Sequence, residues 1–318
     1  MRGRFAPSPT GDLHLGNART ALLAWLQVRR AGGRFVLRME DLDPGRVRPE
    51  YQATQLEDLR WLGLEWDEGP DIGGDFGPYL QSSRQRLYEE ALERLGARGR
   101  LYECLCSRRE IAAAAEAPHA GDDEGPPYPG TCSRIAPARG VEGRPSALRF
   151  RVPPGPVGFE DELYGMRSYT PSLETGDFVV RRKDGVAAYQ LAVVVDDAAM
   201  QITDVLRGAD LLSSTARQIL LYHALDLPEP RWTHVPLMLS VDGERLSKRS
   251  GAASLRELRE QGAVSERVVG WLAWTCGLAA DGKEVAPAEL VADYDVGRLP
   301  REDTPVAIPD WLRGAGSE

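Results

Sequence analysis

The sequence predicts an α/β fold on a parallel sheet, from a strand, helix, strand succession at the N-terminus and a length sufficient for one large domain with an insertion or two modest ones. The chain has 318 residues, enough to bury a substantial core either way. Arg2 to Phe5 is a short strand candidate, followed by the Pro-rich turn Ala6-Pro7-Ser8-Pro9-Thr10-Gly11. An amphipathic helix is expected from about Asn17 to Arg30, with Leu22 and Leu26 on its buried face and Gly32 at its stop. Arg34 to Glu40 reads as the second strand. Such units are right-handed with parallel strands, and ligands sit beyond the strand C-termini, where the Ala6 to Gly11 turn and Glu40 both fall.

Further helices are signalled from Pro49 to Leu62, from Ser83 to Arg98 before Gly99, and from about Ser107 to Glu116. Between Ala117 and Arg144 the composition shifts to Pro, Gly, Asp and Ala, which marks a loop-like stretch within an insertion. Strands are expected at Ala147 to Val152 and Phe178 to Arg182. The run from Tyr189 to Asp197 is ambiguous, since its valines favour strand while its length also suits a buried helix. Ser213 to Leu225 reads as a helix, Val235 to Glu244 as a strand entering an Asp242-Gly243 turn, and the rest as helical to about Leu278. There is no internal repeat.

Composition narrows the function classes. The chain is 42% hydrophobic and 27% charged, in the ordinary soluble range. Its longest apolar run, Leu191 to Val195, is too short to span a bilayer. Met1 to Pro7 lacks the apolar stretch of a signal peptide, so a cytoplasmic protein is expected, with no membrane contact and no obligate protein partner implied. The formal charge of -9 argues against broad electrostatic grip on nucleic acid, so any RNA contact must be local. Cys104, Cys106, Cys132 and Cys276 are then expected as reduced thiols, and the tight Cys104-Leu105-Cys106 pair reads better as a metal site than as half of a disulfide. Of 39 basic residues only Lys183, Lys248 and Lys283 are lysine. A lysine here suggests a need for a compact ammonium rather than a planar fork.

Two segments carry the chemistry. His14-Leu15-Gly16-Asn17 stands where the first loop enters the first helix, and helix starts bind phosphate through unpaired N–H groups and a positive dipole end. Gly16 lets backbone approach a ligand, while His14 and Asn17 add side-chain donors. The plainer alternative is a surface His14 and an Asn17 that only caps the helix. Leu246-Ser247-Lys248-Arg249 lies in a glycine-flanked loop, where Lys248 could set an ammonium against phosphates whose charge grows in a transition state. Its plainer alternative is a solvated basic loop.

Together, in this order and separation, the two segments resemble the HIGH and KMSKS signatures of class I aminoacyl-tRNA synthetases. Arg4 to Gly11, Arg38-Met39-Glu40-Asp41, Tyr189 to Asp197 and Arg207-Gly208-Ala209-Asp210-Leu211-Leu212 are similar to glutamyl-tRNA synthetases in particular. The resemblance implies a Rossmann-like class I synthetase catalytic domain, with helices on both faces of a parallel sheet, an inserted zinc-containing α+β subdomain and a C-terminal helical portion. The expected divisions are 1–100 and 186–250 for the catalytic halves, 101–185 for the insertion and 251–318 for the helical remainder. It also implies that Tyr189 to Asp197 is helical, that Arg4, Phe5, Ala6, Pro7, Ser8, Glu40, Tyr189 and Arg207 hold L-glutamate, and that His14, Gly16, Asn17 and Lys248 surround ATP, with His14 and Lys248 catalytic and Mg2+ as counter-ion. Physically, Arg4 or Arg207 can bond the substrate carboxylates and Glu40 can accept from its ammonium. Arg4 as a surface cation and Glu40 as a partner of Arg38 remain alternatives. Asn17 departs from the final histidine of HIGH, and Leu246 and Arg249 from KMSKS, without removing donor capacity at Asn17 or packing at Leu246.

After Lys248 only about one helical subdomain remains, with no anticodon-binding domain expected. That resembles the short branch of the family, whose members activate glutamate without tRNA and transfer it to queuosine in the anticodon loop of tRNA(Asp). Cys104, Cys106, Tyr128 and Cys132 are similar to that branch's single structural Zn2+ site, with His119 as the rival fourth ligand. Cys276, beside Trp271 and Trp274, reads as core. The alternatives are a truncated glutamyl-tRNA synthetase charging the acceptor end, a class I nucleotidyltransferase with another substrate, and a non-catalytic synthetase-like protein that binds tRNA or a partner.

Overall fold

A computed structural model of the chain describes residues 1–107, 109–111, 127–134, 145–244, 246 and 253–313. In chain order these form β1 (Arg2–Phe5), α1 (Leu15–Arg30), β2 (Arg34–Leu37), α2 (Pro49–Trp61), α3 (Gln85–Ala97), β3 (Leu101–Cys104), β4 (Ala147–Phe150), β5 (Val157–Asp161), β6 (Gly165–Tyr169) and β7 (Phe178–Arg181). There follow α4 (Tyr189–Ala199), β8 (Asp204–Gly208), α5 (Leu212–Ala224), β9 (Arg231–Val235), β10 (Met238–Leu239), α6 (Leu255–Glu260), α7 (Ser265–Trp274) and β11 (Thr304–Pro305).

The main sheet runs β2-β1-β8-β9-β5-β6. Its first five strands are parallel and only β6 is antiparallel, paired to β5. Successive residues alternate between two cores, as the period of a strand requires. Phe35 and Leu37 of β2 face α1, α2, α6 and α7 with Leu22, Leu26, Leu59 and Leu272, while Val36 faces α3, α4 and α5 with Tyr88, Leu191 and Ile219. Full burial of each such side chain contributes roughly 1.5–3 kcal/mol, so a sheet covered on both sides follows from the sequence pattern. The chain crosses from β1 to β2 in one direction and from β8 to β9 in the other. The crevice between β1 and β8 is therefore the switch point at which α/β sheets bind ligands.

The N-terminal strand, helix, strand unit is as expected, with β1 and β2 parallel in register from Arg2–Arg34 to Phe5–Leu37. Several boundaries differ. The first helix begins at Leu15, two residues before the expected Asn17, because His14 caps it. The second strand ends at Leu37, and Met39 continues only as an isolated bridge to Leu80. Tyr189 to Ala199 is a helix. The strand expected over Val235 to Glu244 shrinks to Met238–Leu239, paired with β11, and the true central strand lies just before it at Arg231–Val235. Pro236 lacks the N–H that would continue the ladder. Of the helix expected over 107–116, Ser107 lies before the helical residues 109–111, and residues 108 and 112–116 lie outside the described residues.

Within the expected insertion, β3, β4 and β7 form a separate antiparallel sheet, whereas the β5–β6 hairpin joins the main sheet beside β9. No helix among the described residues is long and apolar enough to cross a membrane.

Candidate active site

A cavity of about 440 Å³ opens at the C-terminal edge of β1 and β8. Arg4, Phe5, Ala6, His14, Gly16, Asn17, Glu40, Tyr189, Arg207 and Leu246 all line it. Segments as far apart as residues 4 and 246 thus converge on one space. Pro7 and Ser8 do not line it; the Pro7 carbonyl instead accepts from the Glu40 N–H at 2.9 Å, and the Ser8 carbonyl accepts from Gln55 Nε2 at 3.1 Å. These two residues hold the turn rather than face the cavity. Lys248 and Arg249 lie outside the described residues.

His14 is the N-cap of α1. Its Nδ1 accepts from the backbone N–H of Gly16 at 3.1 Å and of Asn17 at 3.3 Å, while Asn17 Oδ1 accepts from the His14 N–H at 3.4 Å. The plainer alternative for Asn17, an N-cap, does not hold: Asn17 is the third helical residue and answers the N-cap His14 in a reciprocal capping box. Because Nδ1 is an acceptor, the ring proton sits on Nε2, available to a ligand. Burial pushes the His14 imidazole below its ordinary value, so the ring is a neutral donor near pH 7. A Cβ on Gly16 would approach the His14 ring to 3.0 Å, which is why glycine stands in this turn. The α1 terminus adds the positive end of its dipole beside the His14 Nε2–H, a combination that suits a phosphate.

Below the cavity, ionic groups lie out of water. Arg38 is 0% exposed and reaches Asp197 at 2.6 Å, Glu40 at 3.1 Å and Asp196 at 3.9 Å. Asp197 also accepts from Arg4 Nε at 3.2 Å, and Asp196 from Arg84 Nε at 2.5 Å and Tyr88 at 2.8 Å. Glu40 is therefore both an Arg38 partner and a cavity residue. Burial pushes its carboxyl up against the pull of Arg38, leaving it receptive to a cationic ligand group. On the other wall, Arg207 projects from the end of β8.

Sequence reading missed the residues that hold these groups: Asp197 under Arg4, and Gln218, Thr215 and His234 around Arg207. It also missed Arg19, which lines the cavity and donates through Nη2 to the Pro236 carbonyl at 2.5 Å, tying α1 to the segment after β9. The Asp197 contact had one available signal, an acidic pair inside an otherwise apolar helix.

A second constellation lies at the end of β3. Cys104, Cys106 and Cys132 bring their sulfurs within 4.8 Å of one another, in an arrangement that can hold a metal ion. The Tyr128 hydroxyl lies beside them, 3.5 Å from Cys104 Sγ and 3.9 Å from Cys106 Sγ, with Cys106 and Cys132 3.4 Å apart. Four donors at tetrahedral corners around a metal about 2.3 Å from sulfur would be separated by roughly these distances. The donor set therefore fits such an ion. The Tyr128 oxygen accepts the Cys132 N–H at 2.8 Å, and the Arg149 guanidinium lies 3.7 Å over its ring. His119, the rival ligand, lies outside the described residues. Cys276 is 2% exposed in the core.

Residues 1–297 match the family described as tRNA synthetases class I (E and Q), catalytic domain. A protein of Symbiobacterium thermophilum named glutamyl-Q tRNA(Asp) synthetase is 56% identical over 96% of this chain and 95% of its own length. One of the same name from Nitratidesulfovibrio vulgaris is 49% identical over 98% of each. The crystal structure of a glutamate tRNA ligase from Elizabethkingia meningosepticum in complex with its amino acid superposes with a TM-score of 0.82 at 31% identity, covering 96% of this chain and 67% of that one. The chain belongs to the class I tRNA synthetases of the glutamate and glutamine (E and Q) type.

Proposed function

We propose that this protein activates L-glutamate with ATP in the absence of tRNA and transfers it to queuosine in the anticodon loop of tRNA(Asp). The observation that carries the activation step is the single cavity lined by His14 and Asn17 at a helix start and by Arg4, Glu40 and Arg207 deeper in. An ATP phosphate suits the helix start, and an acidic amino acid suits the charged interior. The acceptor is supported by likeness to glutamyl-Q tRNA(Asp) synthetases along nearly their whole length.

In the first step an oxygen of the glutamate α-carboxylate bonds to the α-phosphorus of ATP, the bond to the β-phosphate oxygen breaks, and pyrophosphate leaves. Glu40 accepts from the substrate ammonium, Arg4 and Arg207 meet its carboxylates, and His14 donates through Nε2 to phosphate oxygen. Lys248 is assigned to the same phosphates by its KMSKS-like segment, of which Leu246 lines the cavity. Rate enhancement on this reading comes from in-line positioning and charge stabilisation, with no covalent enzyme intermediate. Mg2+ accompanies ATP as its counter-ion. In the second step a nucleophile on the queuine ring attacks the acyl carbon and AMP leaves.

Cys104, Cys106, Tyr128 and Cys132 would hold one Zn2+, which when bound cross-links the segment around them and takes no part in either step. A cytoplasmic location accords with chemistry on ATP and tRNA. The test is to supply labelled glutamate, ATP and queuosine-containing tRNA(Asp), digest the product and locate the label. Label on the anticodon fragment supports the proposal; label on the 3′-terminal adenosine replaces it with acceptor-end charging.

A further inference from the structure

The two arginines of the cavity are held differently. Arg4 lies against the carboxylate of Asp197 at 3.2 Å. Arg207 donates instead from Nε to His234 Nε2 at 3.0 Å, from Nη1 to Gln218 Oε1 at 2.7 Å, and from Nη2 to Thr215 Oγ1 at 2.8 Å and the Leu211 carbonyl at 3.4 Å. Every one of these acceptors is neutral. Arg207 is 5% exposed, so its charge is removed from water without a hydrogen-bonded carboxylate, a costly arrangement unless a ligand completes it. Burial accordingly pushes the guanidinium below its ordinary value.

The bond from Arg207 Nε requires a lone pair on His234 Nε2, and the structure supplies the reason for one. His234 and Asp161 are both fully buried as side chains. Asp161 Oδ2 accepts from the His234 backbone N–H at 3.0 Å and lies 2.7 Å from Nδ1. Its other oxygen accepts the N–H groups of Leu163 at 3.1 Å and Tyr164 at 2.9 Å. Both Asp161 oxygens thus act as acceptors, so the ring proton resides on Nδ1 and the Nε2 lone pair faces Arg207 and the Thr215 hydroxyl, 3.1 Å away. The opposite tautomer would set two N–H groups against each other. Burial, reinforced by the nearby Arg207 and Arg4 and opposed by Asp161, brings the imidazole down to about 4, so it is neutral at physiological pH.

We propose that Asp161 and His234 are positioning residues for substrate selection: together they fix the Nδ1–H tautomer, seat Arg207 on uncharged acceptors, and leave its charge for the side-chain carboxylate of the amino acid. The α-carboxylate must lie at the His14 end, where it meets the α-phosphorus, so the side chain reaches the Arg207 end. A carboxamide in that place would leave the guanidinium uncompensated, which makes the arrangement a filter for an acidic amino acid over its amide. The inference rests on glutamate activation and adds the device that selects for it.

The first test needs no variant. Two-bond ¹H–¹⁵N correlation on the wild-type protein at neutral pH, with His234 assigned by its substitution among the four histidines, should show a protonated Nδ1 and a bare Nε2. A bare Nδ1, or an imidazolium, overturns the relay. The second uses amino-acid-dependent pyrophosphate exchange. Asp161→Asn, which favours the wrong tautomer, should raise the glutamate KM at least ten-fold, leave the ATP KM within two-fold, and reduce the preference for glutamate over glutamine at least ten-fold. His234→Gln, which can restore an acceptor toward Arg207, should lie closer to wild type than His234→Leu in both readouts, and this pair decides the matter if Asp161→Asn does not fold. Equal losses in the two His234 variants, or parallel changes in the ATP and glutamate KM, would reduce the pair to a structural role. If the wild-type protein exchanges pyrophosphate with neither amino acid, the parent reading fails while the tautomer measurement still judges the relay.

Discussion

The carboxylate of Asp197 sits between two guanidinium groups, 2.6 Å from Arg38 and 3.2 Å from Arg4. Arg4 thus enters the cavity with its charge shared, and its orientation is inherited from α4 rather than from its own strand. Burial pushes the Asp197 carboxyl up, but Arg38 and Arg4 outweigh that and hold it below its ordinary value. A carboxylate with a depressed folded value stabilises the fold fully above its unfolded value near about 4 and loses that contribution as pH falls through the folded value. Asp197→Asn should therefore cost roughly 3–5 kcal/mol at pH 7, as breaking a buried pair does. Urea unfolding between pH 2 and pH 7 measures it, and the gap between variant and wild type should narrow toward the acid end.

Asp58 has the opposite sign. Its side chain is 0% exposed on α2 and accepts from Arg259 Nε of α6 at 3.0 Å, yet burial dominates and raises its carboxyl to about 6. The stability it contributes is complete below the unfolded value near about 4 and is lost as pH rises through about 6. Wild-type protein should lose stability across that window more steeply than Asp58→Asn, read as the difference in slope of unfolding free energy against pH. Identical slopes would place the carboxylate in a far wetter setting than its burial indicates.

Chelation should loosen the segment around Cys104 to Cys132 and lower the thermal midpoint, by about 2–4 °C for each kcal/mol lost in a domain of this size class. Adenylate formation should stay near the wild-type rate, because the cysteine cluster shares no residue with the cavity. Gly176→Ala reports on the same segment from outside the donor set. Gly176 has a φ of +65°, and a Cβ there would come within 2.4 Å of the Tyr128 carbonyl, so bound metal per chain should fall. Loss of adenylate formation on mild metal removal would contradict this division of labour.

Lys248→Ala should slow glutamyl-adenylate formation by on the order of 10²-fold or more, the usual cost of one charge-stabilising donor. Single-turnover measurement separates this from substrate binding, and a near-normal rate would remove Lys248 from the chemistry.

How far the sequence carried the fold can be argued from particular elements. β1, α1 and β2 were legible because the turn chemistry of Ala6 to Gly11 and the apolar face of Leu22 and Leu26 leave one interpretation. β8 and β9 were not, although they form the centre of the sheet. Asp204-Val205-Leu206-Arg207-Gly208 reads poorly as a buried strand because Arg207, which lines the cavity, interrupts its apolar pattern. Arg231-Trp232-Thr233-His234-Val235 hides its role for a similar reason: His234 answers Asp161, a contact 73 residues distant in sequence. Local periodicity cannot show such a partner. His14 with Asn17 and the Cys104-Leu105-Cys106 pair were legible because each signal lies within a few residues, whereas Cys132, 26 residues from Cys106, and the groups that orient Arg4 and Arg207 meet their partners only when the chain folds.

The most direct test of the central claim is ATP–pyrophosphate exchange by the purified chain with L-glutamate and no tRNA. Exchange that depends on glutamate, is not supported by glutamine, and collapses in Arg207→Ala is the predicted result. Absence of exchange until tRNA is added, or exchange indifferent to the amino acid, would contradict the assignment of this cavity to tRNA-independent glutamate activation.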